Sequence, residues 1–277
     1  MVVFPNCKVN LGLRVLRKRP DGYHDIETVM IPTGWCDVLE IVPAAGTETT
    51  LTVSGNKIDC PADNNLVMRA YRAVGKIAPL PPVDIFLRKI VPDGAGLGGG
   101  SSDAAFTIIA LNQLFQLGMS LEQMAEIAAE IGSDCPFFIY NRPMLCTGRG
   151  TEMTPVSVCP FSGTMLIAKP QVSVSTREAY SGISPRVPDN TLEELLHHPV
   201  GEWGSIGVHN DFEDSIFPLH PEIAQVKAAM ESGGASYCSM TGSGAAVVGL
   251  FATDKLAEDA RALLGGCVTF CGRIELN

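Results

Sequence analysis

The chain has 277 residues and a mass of 29.5 kDa, with 20 basic and 30 acidic side chains and a formal charge of −10. A hydrophobic share of 46% against 18% charged describes a packed globular protein and excludes disorder as its main state; at roughly 100–200 residues per domain, one large or two modest domains are expected. The acidic balance argues against a general nucleic-acid binder, which needs many Lys/Arg–phosphate contacts. No apolar run approaches the ~20 residues that cross a bilayer, and the opening MVVFPNCKVNLGL shows no secretory signal, so the expected location is the cytoplasm, without a membrane partner.

Along the chain, Val9, Leu11, Leu13 and Val15 alternate with Asn10, Gly12 and Arg14, which predicts a strand with one face in a core. Lys8, Arg14, Arg17, Lys18 and Arg19 all precede the first acid, Asp21. That local positive field suits a small anionic ligand, or is simply a solvated strand end. Asp21-Gly22 marks a turn before Tyr23 and His24. Further strands are predicted at 38–42, 51–53 and 83–90. Between the last two, Asn65 caps a helix that buries Leu66, Ala70, Ala73 and Val74 and stops at Gly75.

A glycine-rich stretch, 92–100, leads into Ser101-Ser102-Asp103 and a helix apolar round much of its circumference (Ala104, Ala105, Ile108, Ile109, Leu111, Leu114, Phe115), hence central. Ser120 and Gln123 form a capping box for the next helix, which Gly132 ends before Ser133-Asp134-Cys135-Pro136. Residues 154–163 read as a linker or domain edge. Beyond it, strands are predicted at 165–168, 245–251 and 267–274, and helices at 192–196, 221–230 and 255–264. No fixed-period repeat appears, which leaves an α+β protein in two parts joined near residue 160. The nine cysteines are scattered without a C-x-x-C pair; Cys267 and Cys271 lie closest and no histidine completes a zinc set. Reduced thiols are the expectation.

Gly94-x-Gly96-x-x-Gly99 has the letters of a dinucleotide fingerprint, but a capped second helix stands where a Rossmann unit needs its next strand and ribose acid. Glu122 lies in the first turn of that helix, where the dipole already explains an acid. No Gly-Lys-[Ser/Thr] follows, which removes a Walker A loop as well. What remains is the physics such loops share: glycines let backbone approach a ligand, and the following helix presents amides and a positive dipole end to an anion. A phosphate cradle is therefore the favoured reading over a plain loop. Another cluster, Thr241-Gly242-Ser243-Gly244 before an apolar strand, reads either as a tight corner or as a cover over the same phosphates.

The stretch Pro92-Asp93-Gly94-Ala95-Gly96-Leu97-Gly98-Gly99-Gly100-Ser101-Ser102-Asp103-Ala104-Ala105 resembles the ATP loop of the GHMP small-molecule kinases. Pro5-Asn6-Cys7-Lys8-Val9-Asn10-Leu11, then Arg19-Pro20-Asp21-Gly22-Tyr23-His24, then Gly132-Ser133-Asp134-Cys135-Pro136-Phe137, and finally Thr241-Gly242-Ser243-Gly244, are similar to the 4-diphosphocytidyl-2-C-methyl-D-erythritol kinase family. The likeness covers nearly the whole chain in order and spacing. It implies ATP-dependent phosphorylation of the C2 hydroxyl of a cytidylated methylerythritol, a step in non-mevalonate isoprenoid synthesis. It also implies a two-domain GHMP architecture: an amino-terminal domain over 1–160 with a left-handed βαβ crossover, unusual for that unit; a carboxyl-terminal α/β sandwich over 161–277; and an active site in the cleft between them. Cys7 and Val9 stand where alanine and isoleucine or leucine are commoner, and Ser239 replaces a larger residue; these departures alter packing and leave the catalytic groups in place.

Phosphoryl transfer needs in-line positioning, charge neutralisation and a group to receive the hydroxyl proton. The resemblance casts Asp134 as that acceptor; local sequence alone makes it an N-cap aspartate. Lys8 is an exposed strand lysine by local reading, and by resemblance the partner of Asp134 beside the attacking oxygen. Asn10, on the same strand face, is a substrate contact or an edge-strand polar group. Tyr23 and His24 look like a cytosine pocket, with Tyr180 closing its far side and Thr176 beside it, whereas local reading gives Tyr180 a packing role. By the same resemblance the amides of residues 96–102 hold the phosphates, Asn65 and Lys89 align with positions near adenine, and Mg2+ is expected with ATP, no protein ligand for it being assigned. The rivals are a homoserine- or mevalonate-type GHMP kinase, a catalytically silent nucleotide binder, and an RNA-binding protein, the last disfavoured by the charge of −10 and the absence of aromatic-basic interleaving.

Overall fold

The structure is a computed structural model that describes residues 1–58 and 60–276. The chain begins with strands β1 (Val2–Val3), β2 (Asn6–Lys18), β3 (His24–Cys36), β4 (Val38–Pro43) and β5 (Thr50–Gly55), followed by α1 (Leu66–Gly75) and β6 (Val83–Lys89). Three helices come next, α2 (Gly99–Leu114), α3 (Leu121–Ile131) and α4 (Cys135–Tyr140), then β7 (Met144–Thr147), β8 (Glu152–Pro155) and β9 (Phe161–Lys169). The remainder is α5 (Thr176–Ser181), α6 (Leu192–Leu196), α7 (Glu213–Ile216), α8 (Pro221–Ser232), β10 (Tyr237–Met240), β11 (Val247–Phe251), α9 (Asp254–Ala262) and β12 (Val268–Leu276). This is the α+β class expected, packed as two compact units.

The first unit takes residues 1–7, 35–93 and 98–142. Its sheet runs β1-β4-β6-β5, with β5 parallel to β6 and the other pairs antiparallel. Period-two sequence does the sorting in β6: Val83, Ile85 and Leu87 are buried, while Phe86 and Arg88 face outward. Asn65 caps α1 as predicted, its side chain accepting from Val67 N (2.9 Å). The Ser120–Gln123 box closes the start of α3 in both directions. Helix α2 packs against α1, α3 and α4 as well as β4, which is why it is apolar nearly all round and buries Ala104, Ala105, Ile108 and Leu111.

The second unit takes residues 8–34, 94–97 and 143–277. It holds the sheet β2-β3-β7-β8 and an antiparallel sheet β10-β11-β9-β12, on which α8 and α9 pack. Leu166, Ala168, Met240, Val247 and Phe251 from the latter sheet share a core with Val226 and Met230 of α8 and Ala257 and Ala260 of α9. The linker signal at 154–163 falls on the end of β8, a stretch without regular structure and the start of β9.

One expectation is corrected. Alternation predicts a half-buried β2, yet residues 6–15 are buried on both faces, with Lys8 3%, Asn10 1% and Arg14 5% exposed. The polar face is tolerated because its groups bond one another: Arg14 pairs with Glu27 and donates to Asn190 O (2.7 Å), and Lys8 and Asn10 enter the network described below.

Candidate active site

After β6 the chain turns through 92–98 into α2. Gly98 sits at the N-cap position with φ 72°, contributes no side chain, and no acid stands in the first turn. The first intrahelical bond runs from Ser102 N to Gly98 O (2.9 Å), so the helix itself supplies the amides of Gly99, Gly100 and Ser101 with no carbonyl. Those amides and the positive dipole end form a receptor for an anion.

The middle of the loop, residues 94–97, packs within the second unit on the other glycine cluster. Ala246 N donates to Ala95 O (3.2 Å). A Cβ on Gly96, at φ +74°, would lie 2.2 Å from Thr241 O, and one on Gly242, at φ +57°, would lie 2.9 Å from Gly96 O. Each glycine is required by the backbone of the other, so Thr241–Gly244 is a tight corner packed on residues 94–97.

Lys8 is joined to the same frame. Its amide donates to Leu97 O (3.0 Å), and its Nζ donates to Asn10 Oδ1 (2.8 Å). That oxygen also accepts from Thr241 Oγ1 (3.1 Å), while Asn10 N donates to Thr241 Oγ1 (2.9 Å). Asn10 Nδ2 donates to Thr28 Oγ1 (2.9 Å), which donates on to Gly12 O (2.5 Å). Both acceptor positions of the Asn10 amide are thus used. Lys8 is therefore not an exposed strand lysine, and Asn10, although on a strand at the edge of its sheet, is buried within this network.

Behind Thr241 lies a layer that sequence reading misses. Asn210 Nδ2 donates to Met240 O and Gly242 O (2.8 Å each), and Glu213 Oε1 accepts from Met240 N (2.7 Å) and Ser239 Oγ (2.9 Å). Lys227 Nζ pairs with the other Glu213 oxygen (2.7 Å). The hydroxyl of Ser239, a departure from the commoner sequence, is therefore part of the corner's support.

In the first unit, Asp134 occupies the N-cap position of α4, but its side chain makes no capping bond. The capping alternative is removed. Next to it, burial pushes the Cys135 thiol up to about 11, against a hydrogen bond from Ser101 that lowers it; the thiol is a protonated packing group. Asn65 is spent in part on its cap.

The resemblance puts Lys89 near adenine. Its side chain is 4% exposed, and its Nζ pairs with both Asp37 and Asp103 (2.7 Å to the latter). Asp37 Oδ1 accepts from the amides of Ile90 and Val91. Burial acting alone would lower the Lys89 ammonium, but the two carboxylates outweigh it and its pKa is raised. Burial pushes the Asp103 carboxyl up to about 7; Lys89 opposes the rise and Asp37 adds to it. Neither aspartate carries a local signal, because their shared partner lies far off in sequence.

In the second unit, Tyr23 is 53% exposed and the Arg149 guanidinium lies 3.6 Å over its ring. His24 stacks on Tyr180 at 4.8 Å and 19°, and Phe212 meets Tyr180 edge-on. Burial and Lys18 lower the His24 pKa, which favours a neutral imidazole. Thr176 at the start of α5 lies with its hydroxyl 3.5 Å from that of Ser243 in the Thr241–Gly244 cluster.

The GHMP kinases N terminal domain matches residues 65–142 and the GHMP kinases C terminal domain residues 191–264. A 4-diphosphocytidyl-2-C-methyl-D-erythritol kinase of Parabacteroides distasonis is 46% identical over 99% of this chain and 100% of its own. A solved 4-(cytidine 5'-diphospho)-2C-methyl-D-erythritol kinase superposes with a TM-score of 0.84 at 31% identity, covering 100% of both chains. A homoserine kinase from Cytophaga hutchinsonii reaches 0.68 at 18% identity, covering 98% of this chain and 95% of its own, and shares the fold alone. The two family models and the full-length relatives show that the chain belongs to the GHMP kinases and, among them, to the 4-diphosphocytidyl-2-C-methyl-D-erythritol kinase family.

Proposed function

We propose that this kinase transfers the γ-phosphoryl group of ATP to the C2 hydroxyl of 4-diphosphocytidyl-2-C-methyl-D-erythritol in non-mevalonate isoprenoid synthesis, in the cytoplasm. The observation that carries the reading is the bond from Lys8 N to Leu97 O, which ties the candidate catalytic strand to the phosphate loop. The first-turn amides of α2 receive the triphosphate, with Asn65 and Lys89 on its adenine side. Mg2+ neutralises β/γ charge when bound.

Asp134 accepts the hydroxyl proton, and Lys8 offsets negative charge at the attacking oxygen. A carboxylate is a weak base, so alignment and electrostatics supply most of the rate. Asn10 orients Lys8 and keeps one amide hydrogen for the substrate. Tyr23, His24 and Tyr180 receive the cytosine, with Thr176 beside them. A stacked base is worth roughly 1–3 kcal/mol, so Tyr23→Ala raises the KM for the cytidylated substrate more than it lowers kcat. The domain division at residue 160 belongs to the same proposal, as a division by family domain rather than by packing.

The test offers ATP and Mg2+ with cytidylated methylerythritol, homoserine or mevalonate as acceptor. Transfer to the first only, inhibited by cytidine nucleotides, is the expected result. Transfer to homoserine or mevalonate, indifferent to cytidine nucleotides, contradicts it.

A further inference from the structure

The buried ion cluster Asp37–Lys89–Asp103 spans the base of the phosphate loop. Its three members reach it from different parts of the first unit: Asp37 from the corner before β4, Lys89 from the last residue of β6, and Asp103 from the second turn of α2. On the entering side of the loop, Asp37 Oδ1 accepts from the amides of Ile90 and Val91, while its Oδ2 takes the Lys89 ammonium. On the leaving side, Asp103 Oδ2 takes the same ammonium at 2.7 Å. The ammonium also lies beneath the first residue of α2, since a Cβ on Gly99 would stand 3.3 Å from Lys89 Nζ. One cation therefore fastens both ends of the loop, Val91 and Gly99, at a set separation.

The cluster is sealed. Lys89, Asp37 and Asp103 have side chains 4%, 0% and 4% exposed, so the ammonium is committed to its two carboxylates and is not presented to a ligand as an open charge. Its influence on a nucleotide runs through the backbone it holds. A buried ion pair broken by losing one partner leaves an uncompensated charge, and the cheapest relief is movement of the segments the pair was holding, here the two ends of 92–98.

Resting on the reading of that loop as the triphosphate cradle, we propose that Asp37 and Asp103 are positioning residues for ATP: through Lys89 they fix the span of the loop, and so set nucleotide affinity without touching the acceptor alcohol or the phosphoryl-transfer step. The substitutions that test this are isosteric, Asp37→Asn and Asp103→Asn. Asp103→Asn is the milder, because the other oxygen, Oδ1, has no hydrogen-bond partner to lose.

Binding of ATP is measured on the parent and both variants, by titration without acceptor and by steady-state kinetics with each substrate varied. The expected result is a rise in the Kd and KM for ATP of roughly 5- to 150-fold, the span of an ordinary coupling free energy, with the acceptor KM and kcat within about twofold. Unchanged ATP affinity in folded variants overturns the proposal. So does a parallel loss of acceptor affinity or kcat, which marks general structural support. If Asp37→Asn does not fold, Asp103→Asn decides alone; if neither folds, the cluster is a folding element and the proposal fails. A parent that binds no ATP sinks the cradle reading itself, which separates that failure from this one.

Discussion

The two glycine clusters make an instructive pair. The stretch 92–100 feeds a helix, and its glycines free the amides of the first turn of α2. Thr241–Gly244 instead feeds β11, and its corner is pinned by Asn210 and Glu213. The earlier cluster has the composition of a phosphate loop and is recognisable alone. The later one resembles any tight corner until Gly96 and Gly242 are found with backbones too close for a Cβ on either. Its glycine content is set by the loop it abuts. Two kinds of glycine follow: those needed for backbone contact, and those the backbone does not demand, which the proposed function assigns to ligand access.

Substitution separates the two kinds. Gly96→Ala combines a left-handed backbone with a Cβ 2.2 Å from Thr241 O, and is expected to cost about 2–5 kcal/mol in denaturant unfolding, with activity lost. Gly242→Ala, with more room at 2.9 Å, is expected to cost about 1–3 kcal/mol. If both were neutral, the interlock would be wrong. Asn210→Ala strips Met240 O and Gly242 O of a shared donor; a loss of about 1–3 kcal/mol is expected, along with a fall in kcat/KM for ATP that Asn210→Asp does not rescue, since a carboxylate cannot donate to two carbonyls.

At the other extreme, Gly100 has an ordinary helical position where a Cβ meets only Leu66 Cδ1 at 3.7 Å. Gly100→Ala is expected to leave stability equal or higher by up to about 1 kcal/mol, while weakening ATP through the methyl placed in the cradle. Tighter ATP binding by this variant would contradict the access role.

The ion cluster at the base of the 92–98 loop adds a pH prediction. The Asp103 carboxyl is raised from 3.8 to about 7 in the folded protein. A raised folded value means the native state holds the proton more tightly than the unfolded chain. The stabilisation is full below about pH 4 and is lost as pH rises through 7. Urea unfolding of the parent should therefore show stability declining between about pH 4 and pH 7, and Asp103→Asn should flatten that decline. An equally steep decline in the variant would place the titration elsewhere.

Much of the fold is readable from sequence because long elements carry strong periodicity and end signals. The Asn65 and Ser120 caps, the all-round apolar α2 and the alternation of β6 all appear as expected. Elements that escape such reading are short or irregular: β7 and β10 have four residues each and α4 six, too few for a period to show. Strand β3 is hidden by Asp25, Glu27, Pro32 and Gly34, which break the alternation; its burial on both faces over 25–31 is made tolerable by ion pairs of Asp25 with Arg17 and Arg19 and of Glu27 with Arg14. The site divides the same way. The glycine-rich loop shows in the local pattern, whereas the burial of Lys8 does not, and the bonds of Asn10 depend on Thr241, 231 residues away. Asp37 and Asp103 depend on Lys89, 52 and 14 residues from them, and no local rule couples such positions.

The most direct measurement is single-turnover phosphoryl transfer, with ATP, Mg2+ and cytidylated methylerythritol mixed with excess parent or Asp134→Asn protein. The account predicts a chemical step slowed by about 10²–10⁴-fold in the variant, with ATP and acceptor still bound and the fold intact. A folded Asp134→Asn protein that transfers phosphate at the parental rate would contradict it.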